Sequence, residues 1–121
     1  MSKIILLLLS FFFIFSSKAK GQTELGANTF HWEIRRGITV VEFWAGWNRD
    51  NEILFLHELD NCRVFRHVIR RDKTLLDEYN VTAAPTLIVF KDGYEEFRFT
   101  PNIMLEVTAT KEQVQSAIDD L

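Results

Sequence analysis

Cysteine is almost missing from this chain: Cys62 is the only one in 121 residues. No internal disulfide framework and no cysteine-rich zinc site can be built from it, and any chemistry it performs has at most one thiol. Histidine is scarce too, and His31, His57 and His67 lack metal-ligand spacing, so neither a metal nor a cofactor is expected. With two prolines and five glycines, the chain is neither collagen-like nor a low-complexity linker. An excess of positive charge is also absent: 14 basic residues face 17 acidic ones, for a net charge of −3. That excludes the electrostatic footprint of a nucleic-acid binder. At about 100–200 residues per domain, the length allows one domain and a short appendage.

The appendage stands at the front. Lys3 precedes an apolar run from Ile4 to Phe15, interrupted only by Ser10, and small residues follow around Ser17-Lys18-Ala19 and Gly21. This is the layout of a secretory signal peptide over residues 1–21, with cleavage after Ala19 or Gly21. The run has about 12 residues where a membrane span needs about 20, so no stable membrane insertion is expected after cleavage. Residues 22–121 then form a single domain, exported to a periplasm or secreted. The exported chain carries 12 basic residues if cleavage falls after Ala19 and 11 if it falls after Gly21, against 17 acidic ones, in a compartment where disulfides persist.

Along that domain, Asn28 to Arg36 reads as a helix capped by Asn28 or Thr29, with Phe30 and Ile34 on one face and Gly37 as its stop. Ile38 to Trp44 is β-branched and aromatic almost throughout, the mark of a strand covered on both faces. Asn51 to Leu59 reads as a short helix. Cys62 to Ile69 alternates as a strand, with Val64, Arg66 and Val68 on one side and Phe65, His67 and Ile69 on the other. A helix opens at Asp72 or Thr74, and a strand runs from Thr86 to Phe90. Asp92-Gly93 signals a hairpin into Glu95–Phe99. Thr110-Lys111-Glu112-Gln113 has capping-box spacing ahead of a last helix whose face is Val114, Ala117, Ile118 and Leu121. The order predicts an α/β sandwich with helices on both faces of a sheet.

Two blocks carry a resemblance. Val40-Val41-Glu42-Phe43-Trp44-Ala45-Gly46-Trp47 is similar to the thioredoxin family's run into its Cys-x-x-Cys, and Tyr79 to Gly93, with Ala83-Ala84-Pro85-Thr86 inside it, resembles the family's cis-proline signature. The resemblance implies a three-layer sandwich with a mixed central sheet. Where the family has its two cysteines, this chain has Asn48-Arg49-Asp50-Asn51. Disulfide exchange needs a thiolate to attack and a second thiol to resolve, and an asparagine amide is neither. Dithiol oxidoreductase activity is therefore excluded at that site. The interval from Asn51 to Pro85 is also short for the family, which implies a truncated second helix.

By the same resemblance, Glu42 falls on the family's buried acid and Arg66 near its lysine neighbour, and the bland alternative is a partly buried ion pair. Trp44 is expected to pack, whereas Trp47 is a contact candidate. Ala84 and Pro85 are implied to offer unpaired backbone to an extended polypeptide. Cys62 is read either as a small packed residue or as a thiol for an intermolecular bond. Arg63, Arg66, Arg70, Arg71 and Lys73 form a basic cluster, and Asn80-Val81-Thr82 matches a glycosylation sequon. The leading expectation is a redox-inactive, non-catalytic module that binds a protein or peptide. The alternatives are single-thiol chemistry at Cys62 and a structural accessory of a larger assembly.

Overall fold

The computed structural model describes residues 23–121; the leader read over Met1–Gly21, with both cleavage candidates, lies outside the described residues. In chain order the elements are β1 (Thr23–Glu24), α1 (Ala27–Ile34), β2 (Ile38–Trp44), 3₁₀ turns at Gly46–Asn51 and Leu56–Glu58, β3 (Arg63–Val68), α2 (Thr74–Glu78), β4 (Thr86–Lys91), β5 (Tyr94–Phe99) and α3 (Lys111–Asp119). The five strands form one mixed sheet in the order β1-β3-β2-β4-β5.

β2 occupies the middle, parallel to β3 and antiparallel to β4. Covered on both faces, it buries Val40, Val41, Glu42 and Phe43 in succession, which is why its hydrophobicity is nearly continuous. Alternate side chains feed two cores. Val41 and Phe43 join Phe30 and Ile34 of α1, Leu75 and Leu76 of α2, and Ile88 and Phe90. Val40, Leu87 and Val89 join Val114 and Ile118 of α3 on the other face, together with Ile53, Leu56 and Leu59. β4 and β5 are joined through Asp92 and Gly93, both at positive φ, as a tight hairpin turn requires. The capping box of α3 forms as its spacing predicts: Gln113 N–H donates to Thr110 Oγ1, and Thr110 N–H donates to Gln113 Oε1.

Three local expectations are corrected. Residues 51–59 do not form a helix: they run through extended backbone at Glu52 and Leu59 and hold only the short 3₁₀ turn between. Ile53, Leu56 and Leu59 are buried at every third residue, a period of three rather than 3.6, while Leu54 between them is 75% exposed. α1 begins at Ala27 behind Gly26, with no side-chain cap, so Asn28 and Thr29 lie inside the helix. Its far end is tied instead by Arg63, whose guanidinium donates to the Glu33 and Arg36 carbonyls. β1 was not expected at all; it is two residues long, beside the inner strand β3.

Candidate functional site

The turn that leaves β2 carries Asn48 and Asn51 and spends their side-chain amides inside the protein. Asn48 departs from helical geometry at φ −120°, ψ 35°. Its Nδ2 donates to the Ala84 carbonyl at 2.9 Å and to the Leu105 carbonyl at 3.0 Å. Asn51 Nδ2 donates to Asn48 Oδ1 at 3.0 Å and to the Met104 carbonyl at 3.3 Å. An asparagine offers two donor hydrogens and one acceptor oxygen, so Asn48 is fully engaged. Three segments far apart in sequence are thereby clasped together: the turn, the residues before β4, and the loop between β5 and α3.

That loop is braced by its own bonds. Asn102 Oδ1 accepts from the Met104 and Glu106 amides, Asn102 N–H donates to the Glu106 carbonyl, and Leu105 sits at φ +60°. The brace holds Ile103 and Met104 out in water, 95% and 68% exposed. Trp47, just before Asn48, is 71% exposed, and Arg49 and Asp50 beside it are exposed as well. Ala84 and Pro85, joined by a cis peptide bond, are buried under the clasp. The Ala84 carbonyl, which the resemblance leaves unpaired, is the one that accepts from Asn48.

Next to the clasp lies an ionic cluster. Arg66 stands opposite Glu42 across the β2–β3 ladder and donates from Nε to Glu42 Oε1 at 3.0 Å. Its Nη2 reaches Glu52 Oε1, and its guanidinium lies 4.6 Å from the centroid of the Trp44 ring. Glu42 is wholly buried and its Oε2 has no hydrogen-bond partner among the described residues. Burial raises the pKa of its carboxyl; the charge and hydrogen bond of Arg66 pull the other way without cancelling it. Arg66 is itself desolvated, but Glu52 and Glu42 hold its pKa above the ordinary value.

Cys62 is half-buried among the residues packed on the α3 face, away from the clasp. Burial, then the carboxylates of Asp60 and Asp119, push its thiol up to about 11. Of the basic cluster, Arg63 is bound to helix carbonyls, Arg66 to Glu42 and Glu52, and Arg70 to Glu24. His67 Nδ1 bonds the Leu25 carbonyl and His31 Nε2 meets Glu78. No metal-holding group of three His, Cys, Asp or Glu side chains occurs among the described residues. Within the described residues, no helix is long and apolar enough to cross a membrane.

Met104, Leu105 and Glu52 belong to this site and were not singled out in the sequence. Pro101-Asn102 signals a loop, but spacing along the chain does not say where its carbonyls come to rest.

No family profile and no curated protein matches the chain. Solved structures do. A thioredoxin mutant from Halobacterium salinarum matches at 17% identity with a TM-score of 0.63, over 82% of this chain and 88% of that one. Mitochondrial thioredoxin 3 from Saccharomyces cerevisiae, in its oxidised form, matches at 20% identity and 0.61, over 83% and 95%. A structure described as showing the thiol-resolving mechanism of a yeast mitochondrial 1-Cys peroxiredoxin via glutathione and thioredoxin systems matches at 20% and 0.62, over 84% and 96%. At these identities the likeness establishes the fold: a mixed five-stranded sheet with flanking helices, in a thioredoxin-like α/β arrangement.

Proposed function

We propose that this chain is an exported, non-catalytic binding module that grips a protein partner through Trp47 and the surface around the asparagine clasp. The observation that carries the reading is the fate of positions 48 and 51. Their amides hydrogen-bond each other and three main-chain carbonyls, while Trp47 beside them is left in water. A large amphipathic ring held at the surface by a rigid turn is a common interface anchor. Restoring sulfur would not restore the chemistry alone, because no helix continues from the turn and a helix N-terminus is one of the features that lowers a thiol pKa.

The test has two parts. In a turbidity assay with a disulfide-bonded protein and dithiothreitol, the rate with this protein is expected to equal the protein-free rate; a faster rate defeats the non-catalytic reading. In titrations of the isotope-labelled protein with exported-protein fractions, amide shifts are expected around Trp47, and Trp47→Ala is expected to weaken the binding by about 2 kcal/mol or more, as a buried aromatic anchor does. Unmoved amides, or a Trp47→Ala variant that binds equally well, would remove Trp47 from the interface.

Single-thiol chemistry at Cys62 is weakened by its environment. With the pKa pushed up to about 11, the thiolate fraction at neutral pH is on the order of 10⁻⁴. Alkylation of the folded protein is therefore expected to run roughly two orders of magnitude slower than that of the urea-unfolded chain, measured by mass spectrometry at timed quenches. Equal rates would return Cys62 to candidacy.

A further inference from the structure

We propose that Asn48 and Asn51 determine which kind of partner this surface refuses: their clasp shuts the main chain at Ala84, just before β4, to an extended polypeptide. The inference rests on the binding reading above and deepens it. An extended chain binds an exposed main-chain edge through its own amides, which need carbonyl acceptors. Three carbonyls face the clasp, those of Ala84, Met104 and Leu105, and each already accepts from an asparagine amide. Ala84 is 1% exposed, so an incoming strand must first break the clasp and move the loop over it.

The loop that closes over Ala84 is itself braced by four internal hydrogen bonds, so opening the clasp means moving an ordered segment.

The test uses the full chain and a permanently unfolded probe, a reduced and carboxymethylated polypeptide. Wild type is expected to show no saturable binding of it. Asn48→Ala, and independently Asn48→Asp, which keeps the shape and the acceptor but loses both donors, are expected to bind the probe tighter by roughly tenfold or more, the scale of one or two hydrogen bonds no longer to be displaced. Opening is read separately from the side-chain NH₂ signals of Asn51, which exchange slowly in wild type and are expected to exchange fast in Asn48→Ala, which removes the Oδ1 acceptor of Asn51 together with both donors.

Wild type binding the unfolded probe as tightly as the variants overturns the proposal. So does an Asn48→Ala variant whose Asn51 signals have been released without any gain in probe binding, or one whose Asn51 signals stay protected. Failure of the binding-module reading looks different: wild type then recognises no exported protein through Trp47, while the gain of probe binding on opening still reports on the clasp alone.

Discussion

Arg66→Leu is expected to cost about 3–5 kcal/mol of stability, the range for stripping one partner from a buried ion pair. Glu42 is wholly buried and its Oε1 is bonded by Arg66 Nε. Without Arg66 the carboxylate stands desolvated, and its pKa, already raised by burial, rises further. The pH dependence follows from the sign. An acid whose folded pKa lies above its unfolded one favours folding fully below the unfolded pKa, and that contribution is lost as pH rises through the folded pKa. The deficit of Arg66→Leu is thus expected to be large near neutral pH and to shrink on acidification, measured by urea denaturation across that range. Arg66→Leu combined with Glu42→Leu is expected to regain most of the loss, because an apolar pair leaves no charge behind. A pH-independent deficit would mean that Arg66 acts through its packing on Trp44 rather than through its charge.

The elements that sequence announces well are those whose pattern is generated by their own burial. β2 shows this: a strand covered on two faces must be apolar almost without interruption, and Ile38 to Trp44 is. The alternation of β3 sends His67 and Phe65 to one core and Val64 to the other, with Arg66 meeting Glu42 in register. β1 escapes because two residues cannot display a period; its existence depends on the free edge of β3. Residues 51–59 mislead because Ile53, Leu56 and Leu59 satisfy helical spacing loosely and threefold spacing well. Glu52 bonded to Arg66 and Glu58 turning back to Phe55 hold the segment in its own path.

The site was legible in a similar, partial way. That positions 48–51 carry no sulfur is read directly. What the replacing residues do is set by contacts across 36 and 57 positions of sequence, which one chain read in order does not contain. With two donor hydrogens and an acceptor oxygen, a side-chain amide can join three segments. The geometry therefore makes Asn48 and Asn51 a fastening between three segments.

Phe30→Ala is expected to be as costly as the Arg66 change, about 3–5 kcal/mol for an aromatic truncated in a packed core. Phe30 is fully buried and its ring centroid lies 5.3 Å from Tyr79, 5.9 Å from Phe90, 6.0 Å from Phe43 and 6.2 Å from His67. One ring thus fixes α1 against β2, β3, β4 and the residue that ends α2. Domain stabilities are about 5–15 kcal/mol in all, so the variant sits near the threshold of folding, and Phe30→Leu, expected to lose about 1–2 kcal/mol, keeps the test readable. Urea midpoints should fall in the order wild type, Leu, Ala at constant slope. Phe30 belongs to the core on the face opposite Ile53 and α3, so the protected NH₂ signals of Asn48 and Asn51 are expected to stay in place in the folded fraction of both variants. If they lose protection in step with the midpoint, the sheet carries strain from one core to the clasp, and the closed state of the site becomes a property of the whole fold rather than of two asparagines.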